Sequence, residues 1–335
     1  MRTILHSDLN NFYASVECLR NPEIRDKPVV VVGSKEDRHG IVLAKNLIAK
    51  RAGVATGDVW WEAQRKCGPE LVEVKADFAA YLDVSRAVRR IYEDYTDKIE
   101  AFGIDECWLD VTESEKQAGG EEIAHAIRRR IKKELGLTVS IGVSWNKVFA
   151  KLGSDMNKPD AVTVISPDNF RQTVWTLPAE ELLYVGRATK GKLNRMGIFT
   201  IGELANSDRD ALKHRLGKWG EWLHDFANGK DSSRVVKTSE EQNVKSIGNS
   251  LTVWRDLKNR EEVSMVIFML ADSVAARMRE SGLFLARTAH IFARGSDLNS
   301  FHKQGKLPRP TGAANEIARA ALNLFDRVYD WETPV

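Results

Sequence analysis

Two adjacent acids, Asp105 and Glu106, stand between short apolar runs in Phe102-Gly103-Ile104-Asp105-Glu106-Cys107-Trp108-Leu109-Asp110. The pattern reads as strand, tight turn, strand. In a regular strand the two carboxylates would point to opposite faces, so serving one site requires the backbone to bend there, at a hairpin tip. Taken alone, the pair is more readily an ordinary acidic turn. A third acid, Asp8, ends the first strand-like segment and by itself is as readily a helix N-cap before Asn10-Asn11-Phe12. Three carboxylates on neighbouring strand ends of one sheet would suit hard divalent cations. Two such ions about 3.5–4 Å apart would activate an attacking oxygen and stabilise a leaving one in phosphoryl transfer.

The elements that must position these acids follow from periodicity. Residues 2–8 read as a buried strand, 10–19 as an amphipathic helix, 29–32 and 41–44 as strands, 46–51 and 59–66 as helices, and 71–74 as a strand. A long helix runs from about 78 to 95, with Tyr81, Val84, Ala87, Val88 and Ile91 on one stripe. After the acidic hairpin come helix 121–135, strand 138–143, helix 146–156 and strand 161–165. This uneven alternation predicts an α+β domain on a mainly antiparallel sheet. From 167 to 229 short helices replace the strands, and 229–243 is polar and turn-rich, as a linker would be. Beyond it, strand-like runs at 246–254 and 288–292 and helices at 261–280 and 314–329 make a small α/β unit.

Composition bounds the rest. At 335 residues the chain is long enough for two to four domains. An apolar fraction of 43% and a charged fraction of 29% are those of a soluble globular protein, and no run approaches a membrane span. The N-terminus enters a strand directly, without a signal-peptide apolar region. Three widely spaced cysteines, Cys18, Cys67 and Cys107, point to a reducing cytosol and away from a zinc site or disulfide framework. Net charge is only +3, but residues 231–310 carry 13 Lys and Arg against 9 Asp and Glu, weak support for phosphate contact.

His6-Ser7-Asp8-Leu9-Asn10-Asn11-Phe12-Tyr13-Ala14-Ser15-Val16-Glu17, then Gly103-Ile104-Asp105-Glu106-Cys107-Trp108-Leu109-Asp110, resemble the signature of Y-family translesion DNA polymerases of the bacterial type. A third block, Gly142-Val143-Ser144-Trp145-Asn146-Lys147 through Asp155-Met156-Asn157-Lys158-Pro159, matches the same family in the same order. The resemblance implies that Asp8, Asp105 and Glu106 are catalytic and hold two Mg²⁺ ions, with Mn²⁺ as a substitute, and that the Leu9 carbonyl completes one shell. It places Asn11, Phe12, Tyr13, Lys50, Arg51 and Lys158 on the incoming nucleotide, with Tyr13 as the steric gate against a 2′-hydroxyl and Lys158 neutralising the triphosphate. Where the commoner finger pattern has Tyr followed three residues later by Arg, this chain has Leu47 and Lys50. Lys keeps the charge without the bidentate fork.

Residues 182–204, with Gly186 and Thr189 as DNA contacts, resemble a helix-hairpin-helix, in which Tyr184 replaces the usual first glycine. Lys245, Arg255, Arg287 and Arg294 fall where the family's last domain meets DNA phosphates. The implied architecture is an α+β right hand. It comprises a palm at 1–10 and 77–166, fingers at 11–76, an all-α thumb at 167–230, a linker at 231–243 and an α/β little finger at 244–335 that stops short of the family's usual last strand and clamp-binding tail. The implied function is error-prone, template-directed DNA synthesis without proofreading, by a cytoplasmic monomer. Its partners would be primer-template DNA, deoxynucleoside triphosphates and the sliding clamp, although no clamp motif is visible. A palm-fold nucleotidyl cyclase would share the paired acids but not need the hairpin or basic last domain. A non-catalytic DNA-binding scaffold would have no use for the three acids.

Overall fold

The computed structural model describes residues 1–33, 40–114, 118–240, 244–282, 285–331 and 334–335. The chain divides into two compact units, Met1–Val32 with Ile41–Glu241, and a second that takes in Gln242–Val335.

The first unit begins β1 (Ile4–Leu9), α1 (Phe12–Arg20), β2 (Val29–Val32), β3 (Val42–Lys45), α2 (Leu47–Arg51), α3 (Trp60–Cys67), β4 (Val72–Lys75) and α4 (Phe78–Glu93). It continues through β5 (Ile99–Ala101), β6 (Glu106–Asp110), α5 (Gly120–Leu135), β7 (Val139–Ser144), α6 (Lys147–Met156) and β8 (Val162–Val164). Five of these strands form one sheet in the order β5-β6-β1-β7-β8, antiparallel except for the β7–β8 pair. Central β1 is buried along its whole length, because helices cover both faces. Leu5, Leu9, Leu109, Val139 and Ile141 pack with Tyr81, Val88, Ile127 and Ile131 of α4 and α5, each large side chain contributing about 1.5–3 kcal/mol. The other face receives α6. Strands β2, β3 and β4 form a separate sheet, in the order β3-β2-β4, around its own core of Val30, Val32, Val42, Ala49 and Ala63.

Short helices follow: α7 (Phe170–Thr173), α8 (Arg187–Asn194), α9 (Ile201–Asn206), α10 (Arg209–Leu216) and α11 (Lys218–Ala227). Their core includes Leu182, Leu193, Ile201 and Leu223, and it merges with Val148, Phe149 and Leu152 of α6. The start of the segment read as a linker is not loose. Val235 is buried against Ile4, Trp108 and Ala150, the Val236 N–H donates to Glu100, and Arg2 donates to the carbonyls of Asp231 and Ser233. One valine and a series of backbone bonds fix it, which a polar composition does not advertise. Its last residues, 241–243, lie outside the described ones.

The second unit contains α12 (Arg260–Glu280), β9 (Ala286–Arg294), β10 (Ser300–Thr311) and α13 (Ala314–Asp326), with β9 and β10 an antiparallel pair. The strand expected at 246–254 is absent, and residues 244–253 carry no regular element. Among the described residues no strand pairs with that run, and Asn249 and the Gly248 carbonyl instead bond to Ser273 and Arg277 of α12.

Candidate active site

Alternation along β1 sends Leu5, Ser7 and Leu9 toward α4 and α5, and Ile4, His6 and Asp8 toward α6. On β6, Cys107 and Leu109 join the first set, while Trp108 and Glu106 face α6. The strand register places Asp8 directly opposite Glu106. Asp105 sits in the turn just before β6, and its carbonyl accepts the Leu9 N–H at 3.0 Å. The bend is closed by the Phe102 and Gly103 N–H groups, which share the Glu106 carbonyl at 3.1 and 3.3 Å. From α4 the Ser85 hydroxyl donates to the Ile104 carbonyl and Arg89 to that of Gly103. A Cβ on Gly103 would lie 3.3 Å from Asp105 Oδ1 and 3.4 Å from Glu106 Cγ, so both carboxylates flank one side of the turn. The backbone thus bends as a shared site requires.

Helix α6 closes the site. The Asn146 side chain caps it, accepting the Phe149 N–H at 2.8 Å. Its close approach depends on Gly142 of β7, where a Cβ would fall onto the Ala150 carbonyl and the Ser154 nitrogen. The helix thereby delivers Lys151, whose Nζ lies 2.7 Å from Glu106 Oε2 and 3.3 Å from Asp8 Oδ2. Lys158, just beyond α6, lies 2.8 Å from Asp8 Oδ2. Asp155 meets both lysines, at 3.3 and 2.8 Å. Motif reading assigned no role to Lys151 or Asp155. Their i, i+4 spacing, with Lys158 three residues further, is a charge stripe that could have revealed them.

Burial opposes the charge on Glu106, but His6 and Lys151 outweigh it and hold its pKa at about 2. His6 is fully buried, which lowers its pKa, with Nδ1 2.8 Å from Ser154 Oγ and Nε2 3.4 Å from Glu106 Oε2. Asp105 behaves oppositely: burial and the neighbouring Asp8 charge raise its pKa, and it forms no ion pair among the described residues. The acids are hard oxygen donors with negative charge in excess at Asp105, a set that could hold divalent cations. As they stand, no three Asp, Glu, His or Cys side chains among the described residues converge as a metal cage; Lys151 bridges Asp8 and Glu106 instead.

Burial, and after it the Asp105 charge, raise the pKa of Tyr13. Its ring stacks on Tyr81 at 4.4 Å and 13°, and the Tyr81 hydroxyl donates to buried Glu17 at 2.7 Å. Phe12 is buried in the core, which leaves only its backbone for a nucleotide. Asn11 adopts a left-handed conformation and its side chain makes no capping bond, so the first N–H groups of α1 have no side-chain cap. Lys50 and Arg51 are exposed on α2 and form no ion pair with a described residue. Gly186 occupies the N-cap position just before α8, with Thr189 inside the helix, and Gly186 shares an open cleft of about 560 Å³ with Lys151, Asp155 and Tyr184. Tyr184 takes the positive φ of 74° that a glycine would adopt there. In the second unit Lys245, Arg287 and Arg294 are exposed, whereas Arg255 is paired with Glu262 at 2.7 and 3.1 Å.

Three family models match the chain: the impB/mucB/samB family over residues 7–155, the thumb domain of DNA polymerase-iota over 180–231, and the impB/mucB/samB C-terminal domain over 244–335. A DNA polymerase IV of Acetivibrio thermocellus is 55% identical over 335 residues, covering 100% of this chain and 84% of the relative. DNA polymerase IV 2 of Bacillus subtilis is 37% identical, covering 98% and 81%. A solved Y-family DNA polymerase chimera shares the fold, with a TM-score of 0.89, 24% identity and coverage of 99% of this chain and 96% of that one. On the site, the fold and these matches together, the chain belongs to the Y-family DNA polymerases of the DNA polymerase IV type.

Proposed function

We propose that this protein is a template-directed DNA polymerase for error-prone, translesion synthesis. The observation that carries the reading is the pairing of Asp8 with Glu106 across two central strands, with Asp105 in the adjoining turn. The 55% identity of this chain to a DNA polymerase IV, over 84% of that relative, supports it. In the reaction the primer 3′-hydroxyl oxygen attacks the α-phosphorus of a deoxynucleoside triphosphate, the hydroxyl proton is lost, and pyrophosphate leaves. Asp8, Asp105, Glu106 and the Leu9 carbonyl would hold Mg²⁺, two ions per site, or Mn²⁺ in its place. Such cations supply a lowered pKa for the hydroxyl and charge neutralisation on the phosphates.

The chain's own groups do the rest. Lys158 and the open N–H groups at the start of α1 receive the triphosphate. Lys50 and Arg51 add charge from the fingers. Tyr13, stacked on Tyr81, sets a clash against a 2′-hydroxyl. Backbone groups at Gly186 and Thr189 hold DNA phosphates without reading sequence, and so do cationic side chains of the second unit. No described helix is long and apolar enough to cross a membrane. The enzyme acts as a cytoplasmic monomer, with the sliding clamp as its partner. Primer extension with Mg²⁺ and deoxynucleotides tests the reading, comparing wild type with Asp105→Asn. Wild type should extend the primer and the variant should lose about 10²–10³-fold in rate, the scale of a lost charge-stabilising group. An inactive wild type, or a fully active variant, would sink it.

A further inference from the structure

The carboxylate cluster contains a cation of its own. Lys151 has a side chain only 16% exposed, and its ammonium contacts Glu106, Asp8 and Asp155 together. Burial penalises that charge, but the three acids outweigh it. Asp155 differs from the other two: it sits one helical turn along α6, is 39% exposed and already shares the ammonium of Lys158. Lys151 and Asp155 both line the open cleft beside the thumb, so a side chain moving between acids there has room.

A divalent cation entering between Asp8 and Glu106 needs the oxygens that Lys151 occupies, and two cations cannot share them at contact distance. We infer that Lys151 is a built-in competitor of the catalytic cation. It holds Asp8 and Glu106 together in the metal-free protein and passes to Asp155 when a cation enters. It is a positioning residue that sets metal affinity, and Asp155 is the acceptor that makes its departure cheap. The inference rests on the proposed metal cradle. It adds that the cradle is deliberately weakened in the resting state.

The test is Mn²⁺ binding to the whole protein without DNA or nucleotide, read by the electron paramagnetic resonance signal of free Mn²⁺. Lys151→Met should bind Mn²⁺ at least about tenfold more tightly, about 1.4 kcal/mol. Asp155→Asn should bind about threefold or more weakly, because both lysines lose their alternative acceptor. Lys151→Arg, which keeps the charge, should stay near wild type. Unchanged or weaker binding by folded Lys151→Met overturns the inference. Should that variant not fold, unchanged binding by the surface variant Asp155→Asn overturns it instead. Asp8→Asn separates the two readings. If wild type and Asp8→Asn bind Mn²⁺ equally, the cradle itself falls, and this inference with it. If Asp8→Asn alone loses binding and Lys151→Met matches wild type, only the role of Lys151 falls.

Discussion

Tyr13 shows how one side chain gains a defined position from residues that touch no substrate. Stacking on Tyr81, edge contact with Phe78 at 5.8 Å and the Tyr81–Glu17 hydrogen bond fix its ring from beneath. A stacked pair of this kind contributes about 0.5–1.5 kcal/mol beyond its buried area, enough to keep the ring from swinging away from a 2′-hydroxyl. Tyr13→Ala should therefore raise incorporation of ribonucleotides relative to deoxynucleotides by about tenfold or more, since even a modest clash of 1.4 kcal/mol is worth that factor. Single-nucleotide insertion kinetics with both sugars would measure it, and an unchanged preference would remove Tyr13 from this role. At this scale the position of the acids on the sheet is legible, because alternation and the hairpin bend are both written in local sequence. Phe12 was not legible in the same way. Its neighbours point to the site, yet its own side chain fills the core between Tyr13 and Tyr81.

The elements bring in what no short motif states, namely how closely one helix lies on the sheet. Gly142 was read as the start of a motif block, but its physical task is to let α6 touch β7. Gly142→Ala should force the helix outward and cost about 1–3 kcal/mol, the usual range for overpacking. Thermal unfolding should show a first-unit transition lowered by several degrees; an unshifted transition would mean that α6 can lift at no cost. Such contacts stay invisible in the sequence because they join residues on separate elements. A second tie of this kind is Asp160, which accepts from Arg128 at 2.9 Å and Lys132 at 2.7 Å on α5 and gives its N–H to Asn10 at 2.8 Å. Burial opposes its charge, but Lys132 and Arg128 outweigh it and hold its pKa below 3.8. A lowered acid pKa adds stability above the unfolded value, and that stability is lost as pH falls through the folded one. Asp160→Asn should thus be less stable than wild type by about 1–3 kcal/mol at neutral pH, with the gap closing below about pH 3.8. Denaturant titrations across pH would reveal a gap that failed to close.

On the scale of the whole molecule, the two units differ in how far sequence alone describes them. The first is rich in alternating and helical periodicity around fixed acids, and nearly every expected element has a counterpart. The second lacks that anchor. Its basic residues were singled out one by one by family position, and pairing decides which of them is available. Strand alternation puts Thr288, His290, Phe292 and Arg294 of β9 on the exposed face, opposite Lys306, Gln304, His302 and Ser300 of β10. Ala289, Ile291 and Ala293 face the helices. Arg294 and Lys306 are thus unpaired cations on one open sheet face, among the described residues, whereas Arg255 spends its fork on Glu262. Arg287 shares the parity of Ala289 and was read as equivalent to Arg294, a distinction that a single sequence does not reveal. Each phosphate contact contributes about 0.9 to the slope of log affinity against log salt. Arg294→Ala and Lys306→Ala should each lower that slope by about one and weaken binding alike across DNA sequences, whereas Arg255→Ala should leave the slope unchanged. Fluorescence anisotropy of a labelled primer-template at several salt concentrations distinguishes them. If Arg255→Ala lost as much slope as Arg294→Ala, its bond to Glu262 would have to open on DNA, and exposure would be no guide to which cations of this sheet meet phosphate.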